Sequence, residues 1–240
     1  MPPERLDFRC RARLTEWMDE PCSREQLRAC LRDLARVNRW TLGYRPLLIW
    51  LGEYTPQIAF DGPLRILDVG CGYGDGLRRL ARWAHAREIA VGLTGLDINP
   101  DAVAIAAEAD PACRIAWVCA NVFDYEPPEL PHLIVSSLFT HHLDDADVVR
   151  FLEWMEGHAT AGWFVTDLSR SAVPYHLFRV FAWLMRAHPF VQHDGPVSIA
   201  RSFSADDWRR LCAAAGVNDG DVSIRKHRPA RLCLARSKHP

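Results

Sequence analysis

The sequence predicts an α/β fold, a parallel sheet with helices on both faces, and three observations predict it. The first is a short apolar run, Ile66 to Val69, with a proline before it and glycines at 70, 72, 74 and 76 after it. Helical spacing follows at Leu77, Leu80, Ala81 and Ala84. Strand, glycine turn and helix in that order let a ligand approach bare backbone at a helix N-terminus. The second is that four further short apolar runs, near 89–97, 114–119, 132–137 and 163–168, alternate with helical patterns. That alternation describes a doubly wound sheet. The third is a pair of short strands, 222–224 and 231–235, flanking Arg228-Pro229 after the last helix.

Composition sets the bounds. The 240 residues suit one large domain with an appendage: a helical lid over 1–60, then a main domain over 61–240 with a substrate-capping insertion at about 170–203. A net charge of −1 gives no bulk attraction to nucleic acid or anionic membrane. No apolar run is long enough to span a bilayer. The eight cysteines, at 10, 22, 30, 71, 113, 119, 212 and 233, contain no C-x-x-C pair. The N-terminus is charged and lacks a signal-type apolar segment, so free thiols and a cytoplasmic location are expected.

The spacing in the glycine turn selects the ligand. A dinucleotide fingerprint, G-x-G-x-x-G, fails from either starting glycine, because its third glycine falls on Asp75 or Leu77. The pattern present is Asp68-x-Gly70-x-Gly72-x-Gly74. A carboxylate two residues before the first glycine repels phosphate and suits a cationic ligand. This stretch resembles motif I of the class I S-adenosylmethionine-dependent methyltransferases. The resemblance implies that Asp68, Gly70, Cys71, Gly72 and Gly74 hold the methionine end of S-adenosylmethionine. It also implies a Rossmann-like seven-stranded sheet of order 3-2-1-4-5-7-6, with strand 7 antiparallel.

The remaining elements follow in chain order. Ser23 and Gln26 form a capping box, and Leu27, Leu31 and Leu34 make the apolar stripe of the helix that follows. Arg24, Arg28, Arg32 and Arg36 recur every four residues, as a solvated face or as a docking stripe for an acidic partner. Asp97 closes the second strand, where an acid accepts hydrogen bonds from ribose hydroxyls, and Ile98 follows against the adenine face. After the third strand the family carries an aspartate for the adenine amine. This chain has Asn121, followed by Val122, with Asp124 as the fallback. The fourth strand ends at Ser137, which joins the cofactor set. Leu138-Phe139-Thr140-His141-His142-Leu143 comes next and resembles motif IV of the small-molecule members. His141, or else His142, is the expected general base. Neighbouring side chains point apart and no carboxylate trio accompanies them, so no metal is expected.

Tyr175 to Met185 is apolar nearly all round, suited to roofing a greasy acceptor or to a dimer face. Residues 188–203 read as a pocket-closing loop. Tyr175, His176, Phe178, His193 and Arg201 are the expected substrate-binding residues. Ser204 caps the last helix and Gly216 ends it. The strings around His141 and His193 are similar to a bacterial subgroup that accompanies type III polyketide synthases and flavin oxidoreductases, which implies a phenolic polyketide acceptor. The expected activity is therefore O-methylation of a hydrophobic phenol or hydroxyquinone, with S-adenosylhomocysteine as product. The alternatives are carbon or nitrogen methylation of a small aromatic, or a non-catalytic cofactor-binding scaffold in a biosynthetic complex.

Overall fold

The computed structural model describes residues 6–112, 114–218 and 220–238. Cys113 lies outside the described residues, and among those described no cysteine is disulfide-bonded. Ser23 caps α1 (Arg24–Trp40) through a two-way capping box with Gln26. Then come α2 (Arg45–Tyr54), β1 (Leu64–Val69), α3 (Asp75–His85), β2 (Val91–Asp97), α4 (Pro100–Ala109) and β3 (Ile115–Cys119). The second half holds β4 (Leu133–Ser137), α5 (Asp145–His158), β5 (Gly162–Leu168), α6 (Ala172–Leu184), α7 (Pro189–Arg201), α8 (Ala205–Ala214), β6 (Val222–His227) and β7 (Arg231–Ser237).

The strands form one sheet of order β3-β2-β1-β4-β5-β7-β6. The first five pair in parallel, and β7 runs antiparallel between β5 and β6. Alternate side chains feed opposite faces. Leu133, Val135 and Phe164 pack with Leu51, Leu77, Leu80 and Trp83 of α2 and α3. Ile134, Trp163 and Val165 pack with Phe151, Leu152 and Trp208 of α5 and α8. Helices thus cover both faces, and ligand space is left at the carboxyl ends of the strands. No helix among the described residues is long and apolar enough to cross a membrane.

Two expectations fail. Residues 8–16 do not form a helix; after a turn at Phe8–Cys10 they run without regular structure as a strap across the carboxyl edge. Side chains and a distant carbonyl satisfy its backbone: Arg170 donates to the Phe8 and Arg9 carbonyls, and the Ala12 N–H donates to the Ala200 carbonyl. The 188–203 segment is not a loop but α7, with Pro196 inside it. Gly195-Pro196 reads as a breaker, yet Gly195 sits against α6, where a Cβ would fall 2.0 Å from the Phe178 ring. Close helix packing, not turn formation, explains that glycine.

Candidate active site

Two cavities meet beyond the carboxyl ends of β1, β2 and β4. The first, about 690 Å³, is lined by Gly70, Cys71, Gly72, Asp97, Ile98, Asn121, Val122 and Ser137, with Leu31, Asn38 and Tyr44 over them. Gly70, Gly72 and Gly74 have φ of 72°, 50° and 70°, a left-handed turn only glycine adopts without strain. Asp97 fixes this turn: its Oδ2 accepts from the Gly72 N–H at 2.8 Å and its Oδ1 from the Asn99 N–H at 3.0 Å. Each oxygen keeps a lone pair for a ligand hydroxyl. Ile98 stands 67% exposed beside it, an apolar surface for a flat ring to cover. Asn121 lines the same end, with its amide oxygen also accepting from the Phe123 N–H at 3.1 Å.

Asp68 and Gly74 lie behind this lining. A Cβ on Gly74 would fall 2.2 Å from Trp117, so that glycine serves the packing of α3 on β3 and not ligand contact. Burial pushes the Asp68 carboxyl well above the usual carboxylate range, and the charges of Asp75 and Asp97 push it further. Burial raises Asp75 and Asp97 as well. Tyr44, half-buried between α1 and α3, offers Asp75 a hydrogen bond that partly offsets its rise. Three close, poorly compensated acids favour a cation in this cavity. Hydroxyl acceptors at Asp97, an apolar platform at Ile98 and this acidic end fit a nucleoside with a positively charged tail.

The second cavity, about 670 Å³, is mostly apolar, with Val37, Trp40, Leu42, Leu177, Phe178 and Ile199 in its wall and Glu16, His141, His142 and Arg231 among its polar groups. Met18, Leu34, Asn38, Leu138 and His142 line both cavities. Leu138 takes φ 57° at this junction, a left-handed conformation rarely held by a branched side chain.

The histidines sit on a single 3₁₀ turn, Thr140–His142, with ring centroids 4.3 Å apart. The expectation that neighbouring side chains point apart fails here, because the tight turn lays the rings over one another. His141 is buried, and its Nδ1 lies 2.7 Å from Asp167 Oδ1. Burial alone would raise the Asp167 carboxyl. The charge of His141 and hydrogen bonds from His141, Thr140 and Leu168 outweigh burial and bring it down to about 2. An ionised Asp167 places the proton of a neutral His141 on Nδ1 and leaves Nε2 basic.

Nε2 of His141 lies 3.6 Å from Glu16 Oε1, and Nε2 of His142 lies 3.9 Å from Glu16 Oε2. Glu16 comes from the strap and is 2% exposed. Burial dominates its carboxyl and raises it to about 7, against the lowering charges of His142 and Arg201. Glu16, His141 and His142 offer ligand atoms within 4.8 Å of one another, but the Arg201 guanidinium stands 3.4 Å from Glu16 and 2.8 Å from Asp19. A cation already serves this cluster. Arg11 fastens the strap, reaching Asp145 and the carbonyls of Arg201, His141 and Leu143 while its guanidinium stacks on Phe203.

Of the expected substrate residues only Phe178 lines the apolar cavity. Tyr175 packs edge-on against Phe8, and His176 lies edge-on to Tyr175. His193 stacks on Trp17 at 4.0 Å and pairs with Asp194, whose carboxylate accepts from the Trp17 and Met18 N–H groups. Tyr175 packs on the strap, His193 and Asp194 hold the turn that follows it, and Arg201 pairs with Glu16 and Asp19. Asp124 does not line the first cavity. Sequence reasoning gave no role to Glu16, Asp167 or Arg231. An acid inside the apolar fifth strand, at its carboxyl end, was a readable signal for Asp167. Nothing in the pattern around Glu16 distinguishes it.

A family model described as a methyltransferase domain matches residues 66–162. No curated protein sequence matches the chain. Among solved structures, the plantazolicin methyltransferase BpumL with S-adenosylhomocysteine bound is 11% identical, with a TM-score of 0.64 over 89% of this chain and 96% of that one. Magnesium protoporphyrin IX methyltransferase from Synechocystis is 14% identical, with a TM-score of 0.56 over 86% of each chain. Human N-acetylserotonin methyltransferase is 16% identical, with a TM-score of 0.61 over 91% of this chain and 57% of that one. The residues from β1 to the start of β5 thus match a methyltransferase domain, and the whole sheet has the order that the resemblance of the glycine turn implies.

Proposed function

We propose that the chain methylates an oxygen of a hydrophobic phenol or hydroxyquinone, with S-adenosylmethionine as donor. The observation that carries this reading is the junction of a nucleoside-shaped polar cavity with an apolar one, at a wall that includes His142 and adjoins His141. When bound, S-adenosylmethionine supplies an already activated methyl group. Asp97 would take the ribose hydroxyls, Ile98 and Val122 the adenine, and the acids at 68 and 75 the field for the cationic end. The apolar wall orients the acceptor and excludes water. His141 Nε2, its ring fixed by Asp167, takes the acceptor's hydroxyl proton, and Glu16 stands beside it to share that proton.

This reading makes the strap part of the site and not a passive lid. It gives the substrate class by chemistry: a largely apolar molecule with a flat ring and at least one acidic hydroxyl. A polyketide-derived phenol such as an alkylresorcinol has that form. Calorimetric titration with S-adenosylmethionine and S-adenosylhomocysteine, followed by a turnover screen over phenols, quinols and alkylresorcinols, tests it. Binding with O-methylated product is expected. Binding with product methylated only at carbon or nitrogen would replace the oxygen acceptor, and binding with no turnover on any acceptor would favour a scaffold.

A further inference from the structure

The arginines of α1 divide into two groups with different surroundings. Arg24 and Arg28 are neutralised: both reach Glu108 at 2.6 Å, and Arg24 also lies 3.8 Å from Asp101. Further along the helix, Arg32, Arg36 and Arg39 turn towards Arg79 and Arg82 of α3 and, with His188, line a separate cavity of about 680 Å³. Asp33 pairs with Arg36 there, and it also accepts from the His188 N–H. Among the described residues, Arg32, Arg39, Arg79 and Arg82 make no salt bridge.

The concentration of charge is local, since the whole chain carries −1. Six arginines, including Arg78, line this cavity against two acids, Asp33 and Asp75, and a concave site with such an excess of one sign focuses the field and attracts counter-charge. Guanidinium groups are the side chains best matched to phosphate, through paired N–H donors. The cavity lies on the opposite side of α1 from the apolar cavity, which takes Cys30, Leu34 and Val37 from the same helix. It touches the cofactor cavity only at Tyr44, Tyr73 and Asp75, and the acid among these would repel an anion from that end.

We propose that the groove between α1 and α3 is a second binding site, for a small molecule carrying a phosphate or pyrophosphate group. Its concavity suits a small ligand better than the flat face of an acidic protein. Such a ligand bridges α1 to α3 without entering either cavity of the methyl-transfer site. The proposal does not depend on the acceptor or the donor assigned above.

The test is calorimetric titration with inorganic pyrophosphate at fixed ionic strength. We expect one site per chain. An Arg36→Gln/Arg82→Gln variant weakens it by about tenfold or more, since hydrogen bonds to charged partners carry the interaction. Arg36→Lys/Arg82→Lys keeps the charge and restores part of the affinity, which separates lost recognition from lost folding. Arg24→Gln/Arg28→Gln binds as the parent does. Saturating S-adenosylhomocysteine leaves the stoichiometry at one. No binding, or equal binding by the Gln/Gln variant, overturns the proposal. So does mutual exclusion with S-adenosylhomocysteine, which would make the groove a part of the cofactor site. Displacement of pyrophosphate by a poly-glutamate peptide at lower concentration would mark a protein-docking face instead and also overturn it.

Discussion

The two cavities are built from different kinds of chain. The polar one stands on strand ends: the glycine turn after β1, Asp97 at the end of β2, Asn121 after β3 and Ser137 at the end of β4. Its geometry is set by parallel pairing and by two backbone hydrogen bonds into one carboxylate. The apolar one stands on α1, α6, α7 and the strap, elements joined by side chains and not by a sheet. Strand ends are fixed by a cooperative ladder, and helix and strap surfaces by individual contacts. The difference teaches that cofactor and acceptor recognition respond to different substitutions, and that the histidine turn belongs to both.

The sharpest break in that division comes at the shared turn. His141→Ala is expected to lower kcat by about 10²–10⁴-fold, the usual scale for a positioned general base. Its dissociation constant for S-adenosylhomocysteine stays close to the parent's, because the cofactor cavity lacks His141. Parallel loss of cofactor binding, measured by calorimetry, would make the turn architectural.

Glu16 sharpens the contrast from the strap side. Its carboxyl titrates near 7 in the folded chain, against an ordinary value of 4.5. Between those values the unfolded chain has released the proton that the folded chain keeps. Stability therefore falls as pH rises through that window. The cost at neutral pH is at most about 3 kcal/mol, and Glu16→Gln removes it. The thermal midpoint of the parent should rise more than that of Glu16→Gln on going from neutral pH to pH ~5. Equal slopes would show that Glu16 is ionised in the fold.

Two smaller effects separate the cavities directly. Asp97→Ala should weaken S-adenosylhomocysteine binding about tenfold or more, with the acceptor KM little changed. Leu177→Ala should do the reverse. Leu177 is 64% exposed in the free protein and lines the apolar cavity, so its loss costs little stability. It should raise the acceptor KM by a few-fold, the effect of removing one or two covered methylene-sized groups. If both substitutions move both constants alike, the cavities are not independent.

The polar cavity was legible in the sequence because its residues sit at fixed offsets from strand ends. Gly70, Gly72, Asp97, Ile98, Asn121, Val122 and Ser137 all reach it. The alternation of apolar runs made a doubly wound sheet legible, while its strand order came with the resemblance of the glycine turn and the final hairpin. The apolar cavity was not legible. Polar members such as Glu16, the His141-His142 pair and Arg231 come from three separate stretches that no spacing links. The loop assigned to 188–203 was misread because Gly195-Pro196 carries turn chemistry, while burial of Val191, Val197 and Ile199 keeps the segment helical. His193 and Arg201, expected to bind substrate, do not line the apolar cavity in the free protein. Arg201 pairs with Glu16, and His193 stacks on Trp17, the residue after it.

The most direct test follows an isotope-labelled methyl group from S-adenosylmethionine onto an alkylresorcinol, with the methylated atom located in the product. The account predicts label on a ring oxygen with the parent enzyme, and almost none with His141→Ala at full cofactor occupancy. Full cofactor binding with no oxygen-methylated product from any phenol, or an unimpaired His141→Ala, would contradict it.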